Sequence, residues 1–309
     1  MTRLTHRLYA GPDDLQAMIQ FLFAVRPAER LADYPGPVDL RELLALRAVQ
    51  ENTRLWFAGD GRLVAYAFVD HYDNLRFALN PQASQLDLEA AIVDWGLACL
   101  RHAMGTEDKT RTLDASCRED DVEQIAFLQR HGFIRQDTRS LHLVRSLIES
   151  VPAPQLPDGF TIRHVQGEQE VAALVALHHA AFGTEHMTPE ERLAMMRVPE
   201  YEAELDLVVV VPASGRLAAY CLCGISQEEN ERTGRREGYT DPVATHPDFQ
   251  RRGLARALLL TGLRKLQERG IDTAVLGTGS DNEAMLRTAQ SVGFRVQTTT
   301  CWFSRPVTC

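Results

Sequence analysis

Short apolar runs alternate with amphipathic stretches along this chain, and their order occurs twice. In the first half a strand is expected at Arg7–Ala10, then helical patterns at Leu15–Val25 and Leu40–Ala48. Strands Arg54–Ala58 and Arg62–Val69 follow, joined by a turn at Gly59–Gly61. In the second half the strand Phe160–Val165 leads into helices Glu168–Phe182 and Pro189–Met196. Strands Asp206–Pro212 and Arg216–Ser226 follow, joined by Ala213–Gly215.

The letters repeat with the pattern. Gly61-Arg-Leu-Val-Ala-Tyr66 matches Gly215-Arg-Leu-Ala-Ala-Tyr220, and His131-Gly-Phe133 matches Val292-Gly-Phe294 in the same order. One domain-sized unit is therefore duplicated, at a spacing too long for a solenoid. Three prolines between Val151 and Gly159 mark a linker, so two domains are expected, at residues 1–150 and 155–309. Interleaved strands and helices predict an α/β (α+β) fold, with a mixed sheet flanked by helices in each half. The exposed edges of those sheets are expected to pair within the chain, and the oligomeric state stays open.

Composition narrows the function. Hydrophobic residues make up 45% and charged residues 24% of the 309 positions, the profile of an ordinary globular protein. A net charge of −9 argues against nucleic acid and suits a cationic partner such as an amine. No window reaches the length of a membrane span, and the charged opening residues lack a signal peptide's apolar stretch, so a cytoplasmic protein is expected. The six cysteines are scattered; only Cys221 and Cys223 are close, without a second pair at zinc spacing, so no metal is expected.

The chemistry concentrates between Glu237 and Ala255. A strand interrupted by Pro242 ends near Thr245, a turn forms at His246–Asp248, and a helix begins near Arg252 and stops at Gly270. The apolar stripe Ala255, Leu259, Leu263, Leu266 gives that helix a core face. Small residues at Gly253 and Ala255, free first-turn amides, the helix dipole and two arginines together make an anion site suited to a pyrophosphate. This segment, Gln250-x-x-Gly253-x-Ala255 after Val243-Ala-Thr245, resembles the coenzyme A motif of the GNAT superfamily of N-acetyltransferases. The resemblance implies that Gln250, Arg251, Arg252, Gly253, Leu254 and Ala255 bind the acetyl-CoA pyrophosphate. It also implies that Val243, Ala244 and Thr245 pair with the pantetheine, in a strand splayed from its neighbour. A second resemblance, at Asp281–Phe294, implies that Asn282 hydrogen-bonds the coenzyme arm.

The chain also departs from that family. Where many members have a tyrosine four residues before the glycine of Gly293-Phe294, this one has Ala289, so the usual general acid is missing. The first half has Asn80–Asp87 in place of the cradle, with no glycine or arginine pair, and three carboxylates at Glu119–Asp121 that would repel a phosphate. It is read as a degenerate GNAT copy. The resemblance makes Glu237 a candidate base for the acceptor amine, with Tyr239 and Asp241 on the same strand face as candidate acceptor contacts. Solvated partners of Arg235 and Arg236 would look the same. His246 is expected to cap its turn, His178 and His179 to pack, Glu185 and His186 to sit in an acceptor loop, and Gln227–Arg236 to form a solvated hairpin loop. The reaction expected is acetyl transfer from acetyl-CoA to an amine; the alternative is a non-catalytic acyl-CoA sensor.

Overall fold

The computed structural model describes residues 4–31, 33–83, 86–105 and 110–308. It divides into two compact units, one running to Thr138 and resuming at Thr300, the other Arg139–Thr299.

The first unit holds an antiparallel meander of β1 (Thr5–Leu8), β2 (Thr53–Phe57), β3 (Leu63–Val69) and β4 (Leu75–Leu79). Helices α1 (Pro12–Val25), α2 (Pro37–Leu43) and α3 (Arg47–Glu51) lie between its first two strands in sequence. α4 (Leu86–Met104) buries Leu88, Ile92, Leu97 and Leu100 in the core, a spacing of three to five residues that aligns them on one helix face. Next come β5 (Arg111–Arg118), α5 (Val122–Arg130) and β6 (Ile134–Ser146), which runs on into the second unit. The neighbour of β5 comes from far along the chain: residues 300–307 pair with it antiparallel.

In the second unit, β7 (Thr161–His164), α6 (Val171–Phe182), α7 (Pro189–Arg197), β8 (Asp206–Val210) and β9 (Leu217–Leu222) follow in order. Then come α8 (Gln227–Thr233), β10 (Glu237–Tyr239), β11 (Val243–Thr245), α9 (Leu254–Glu268), β12 (Thr273–Gly279) and α10 (Glu283–Ser291). The last strand is β13 (Arg295–Val307), whose end supplies the partner of β5. One sheet has the antiparallel order β11-β9-β8-β7. Beside it β10 runs parallel to β12, and β12 pairs antiparallel with Ser140–Ser146 of β6. Leu259, Leu263 and Leu266 of α9 are fully buried, as the stripe predicts, whereas its first member, Ala255, is only partly buried; Leu258 is fully buried as well.

The compact units and the sequence repeat thus divide the chain differently. The proline-rich segment expected between domains lies within the second unit, and the stretch leading into it is tied to α9: Gln267 donates to the carbonyls of Leu147 (2.6 Å) and Glu149 (2.9 Å), and Arg264 to that of Val151 (3.3 Å). Several local expectations shift. β4 begins only at Leu75, because the Asp70 carboxylate accepts from the amides of Tyr72 (2.9 Å) and Asn74 (3.0 Å) and holds a turn after β3. The helix expected near Arg252 starts at Leu254, since Gly253 caps it with φ 78°. Gln227–Arg236 is not a solvated loop: it contains α8, closed by Gly234 at φ 68°. Of the expected first-half loop Asn80–Asp87, Ser84 and Gln85 lie outside the described residues, as does Cys309. The five described cysteines are free, and no His/Cys/Asp/Glu group among the described residues could hold a metal. No helix among them is long and apolar enough to cross a membrane.

Candidate functional site

β10 and β11 lie end to end, yet take different partners. Thr240 makes the last ties to β12, donating to the Val275 carbonyl from its amide (3.0 Å) and its hydroxyl (3.0 Å). Pro242, which has no N–H to give, accepts instead from Leu222 on the side of β9 (3.2 Å). From Val243 onward the chain follows β9, while β12 continues with β6. A gap therefore opens between β11 and β12, the splay expected from the sequence.

At the end of β11 the chain enters the anion cradle. His246 Nδ1 accepts from the Asp248 amide (3.2 Å) and caps a 3-10 turn over Pro247–Phe249, which is the capping role expected of it. Gln250 Nε2 donates to the Thr245 carbonyl (3.3 Å), closing the loop onto the strand. Arg251 (φ 60°) and Gly253 (φ 78°) take left-handed backbone, a geometry that turns successive amides into one concavity. Among the described residues, the amides of Arg251, Arg252, Gly253, Leu254 and Ala255 have no backbone acceptor. A Cβ at Gly253 would meet nothing within 4 Å, so the concavity is open. The Thr245 hydroxyl beside it is buried without a hydrogen-bond partner. An extended, anionic ligand reaching from cradle to splay fits these groups, as coenzyme A would. Arg251 and Arg252 are exposed at its rim, and Arg252 lies over the rings of Phe160 (5.9 Å) and Phe249 (5.8 Å).

Of the three candidate catalytic residues, Glu237 and Tyr239 lie on β10 and Asp241 in the link to β11, just before the splay. In a parallel ladder alternate residues turn their backbone groups to opposite sides. Glu237 and Tyr239 turn theirs away from β12. Tyr239 exchanges two bonds with Gly224 (2.9 and 3.1 Å), and its ring lies so close to Gly224 that a Cβ there would come within 2.1 Å. Glu237 exchanges two with the carboxamide of Asn230 on α8: its N–H donates to Oδ1 (3.0 Å) and its carbonyl accepts from Nδ2 (2.8 Å). The half-buried Glu237 carboxylate stands 3.5 Å from Arg235. Asp241 reaches across towards β12, with Oδ2 at 3.2 Å from where a Cβ of Gly277 would be.

Asn282 caps α10, its Oδ1 accepting from the Met285 amide (3.1 Å). Ala289 is fully buried, so that position carries a methyl group and no hydroxyl. His178 Nδ1 lies 2.7 Å from the Tyr220 hydroxyl; burial, then the neighbouring His179, lowers its pKa to about 4. His179 bonds the Met187 carbonyl (2.7 Å), so both histidines pack as expected. Glu185 and His186 sit in the irregular segment between α6 and α7. Sequence reasoning missed Asn230 and Gly277. The repeat signals an insertion there, though not that it is helical: β3 reaches β4 through a short turn, whereas β9 reaches β10 through a much longer connection.

Residues 171–294 match the acetyltransferase (GNAT) family. A mycothiol acetyltransferase of Nocardioides sp. is 28% identical over 284 residues, covering 87% of this chain and 91% of that protein. One from Tsukamurella paurometabola is 33% identical over 167 residues, where the chain spans about half of that protein's length (54%). Among solved structures, a tandem GNAT protein from the clavulanic acid biosynthesis pathway superposes with TM-score 0.71 at 18% identity, covering 98% of both chains. A GCN5-related N-acetyltransferase from Sphaerobacter thermophilus gives 0.69 at 22% identity, covering 99% of this chain and 96% of that one. Residues 171–294 therefore match the acetyltransferase (GNAT) family, within a chain that has the fold of a tandem GNAT protein.

Proposed function

We propose that the second unit transfers an acetyl group from acetyl-CoA to an amine, and that the first unit binds no acetyl-CoA. The observation that carries this reading is the open splay between β11 and β12 leading directly into a cradle of unpaired amides. Residues Gln250 to Ala255 would hold the pyrophosphate, Val243 to Thr245 the pantetheine, and the Asn282 amide group the coenzyme arm. Bound acetyl-CoA supplies an activated thioester. Glu237 takes the proton that the acceptor amine must lose, directly or through water, while Tyr239 and Asp241 orient the acceptor. Buried Ala289 has no proton to give, so rate acceleration rests chiefly on positioning. The same alanine favours a second reading, an acyl-CoA sensor without turnover.

The relatives' name makes the des-acetyl form of mycothiol the first acceptor to try, beside glucosamine and a peptide N-terminus. Calorimetric titration should give one acetyl-CoA site per chain, lost in Gly253→Asp with little change in melting temperature. Chromatographic measurement of coenzyme A formed, dependent on an amine, separates enzyme from sensor; free-thiol dyes would be confounded by a thiol-bearing acceptor. Absence of binding would sink both readings.

A further inference from the structure

We infer that Asn230 is a positioning residue for the Glu237 carboxylate; this rests on the catalytic reading of Glu237 above. β10 is only three residues long, and each of its residues depends on a different neighbour. Gly238 turns to β12 and Tyr239 to Gly224, but β9 ends at Leu222 and its line of partners stops at Gly224. Glu237 would be left with two unpaired backbone groups on that edge. The Asn230 side chain presents one acceptor and one donor with the spacing of a strand residue, and fills both places.

The helix that carries Asn230 supports the same role. No residue of α8 is buried, so it adds nothing to the core. An open cleft of about 500 Å³ lies beside it, lined by Gln227, Asn230 and Glu231 of the helix and by Arg235 and Arg269. The corresponding connection in the first half, which has no candidate base, has no helix at all. What α8 gives the second unit is a carboxamide that locks the backbone, and with it the Cα–Cβ direction, of Glu237. A base misplaced by about 1 Å can lose on the order of a hundredfold in rate.

The test is a double-mutant cycle of Asn230→Ala and Glu237→Gln. It uses the full chain, acetyl-CoA and des-acetyl mycothiol, or the panel amine turned over fastest. Asn230→Ala should lower kcat about 10- to 100-fold, leave acetyl-CoA affinity within twofold, and shift the acidic limb of the pH–rate profile. The cradle is held by Gln250 and His246, which do not touch α8. Asn230→Asp keeps the acceptor for the Glu237 amide but loses the donor, and should fall between. In the Glu237→Gln background Asn230→Ala should cost little more. Unchanged kcat in Asn230→Ala, or the same loss in both backgrounds, overturns the inference. Unchanged kcat in Glu237→Gln alone instead overturns the base assignment, and the positioning role goes with it.

Discussion

The two halves open their sheets at the same place and use the opening oppositely. In the second unit Tyr239 pairs in parallel with Val275, and in the first Asn74 bridges Asp114 in parallel; beyond each pair the strands part. Two residues further on, the second unit has Asp241 facing Gly277. The first has Arg76 and Ser116, whose side chains meet across the gap at 2.8 Å. Arg76 is almost fully buried, close to Asp70 (3.5 Å) and lying over the rings of Tyr34 (4.8 Å) and Trp302 (5.3 Å). A guanidinium thus occupies the slot that the second unit keeps open. The first half differs by more than the absence of a glycine and an arginine pair at Asn80–Asp87: side chains pack across its slot.

The largest effect should come from cutting the chain at the sequence repeat. Residues 155–309 alone lack Ser140–Ser146 beside β12, and leave Thr300–Val307 without β5. They should show no cooperative thermal transition. A sharp melt from that piece would mean that the repeats, and not the compact units, are the folding units. Next, transplanting the plug as Asp241→Arg with Gly277→Ser should weaken acetyl-CoA binding more than about 100-fold, some 2.7 kcal/mol, read by calorimetry. Undiminished affinity would show that the splay is not the ligand's path. In the first unit, Arg76→Leu leaves Asp70 buried beside an apolar chain and should cost about 3 kcal/mol in urea unfolding, without adding a second acetyl-CoA site.

A smaller contrast lies at the repeated tyrosines. Tyr66 packs edge-on against Phe21 (6.0 Å), whereas Tyr220 meets His178. The folded state holds His178 neutral down to about pH 4, while the unfolded chain takes up that proton near 6.5. Stability is therefore undiminished above pH 6.5, falls as pH drops towards 4, and is flat below. The loss should be about 2 kcal/mol, partial exposure allowed for, and His178→Phe should flatten it in melts between pH 4 and 7. Least, Gly262→Ala would put a Cβ 2.5 Å from the Cys223 sulfur and should cost about 1–2 kcal/mol by overpacking. An equal or higher melting temperature would show that the core yields there.

Much of this was legible in the chain itself. The doubled order of elements, the Leu259–Leu263–Leu266 face of α9 and the His246 cap follow from local periodicity and turn chemistry, which neighbours in sequence decide. The helix α8 was not, because Gln227–Thr233 has no apolar face and nothing buried, so no period betrays it. Neither was the plug. Arg76 reads as one more charged residue until the strand register sets it opposite Ser116. Partner choice for β6 and β13 is likewise a tertiary decision: alternation marks a strand but does not say whose edge it will complete.

That exchange of partners also orders events in time. On its second-unit side β12 waits for nothing, since Ser140–Ser146 is made before it. β5 must wait until Thr300–Val307 emerges, roughly 180 residues later. At about 5–20 residues per second this leaves the edge of Leu113, Ala115 and Cys117 uncovered for some 10–40 s on the ribosome. The half synthesised first is thus the half completed last, and during that interval the nascent chain presents an unpaired apolar strand to any chaperone, or to another copy of itself.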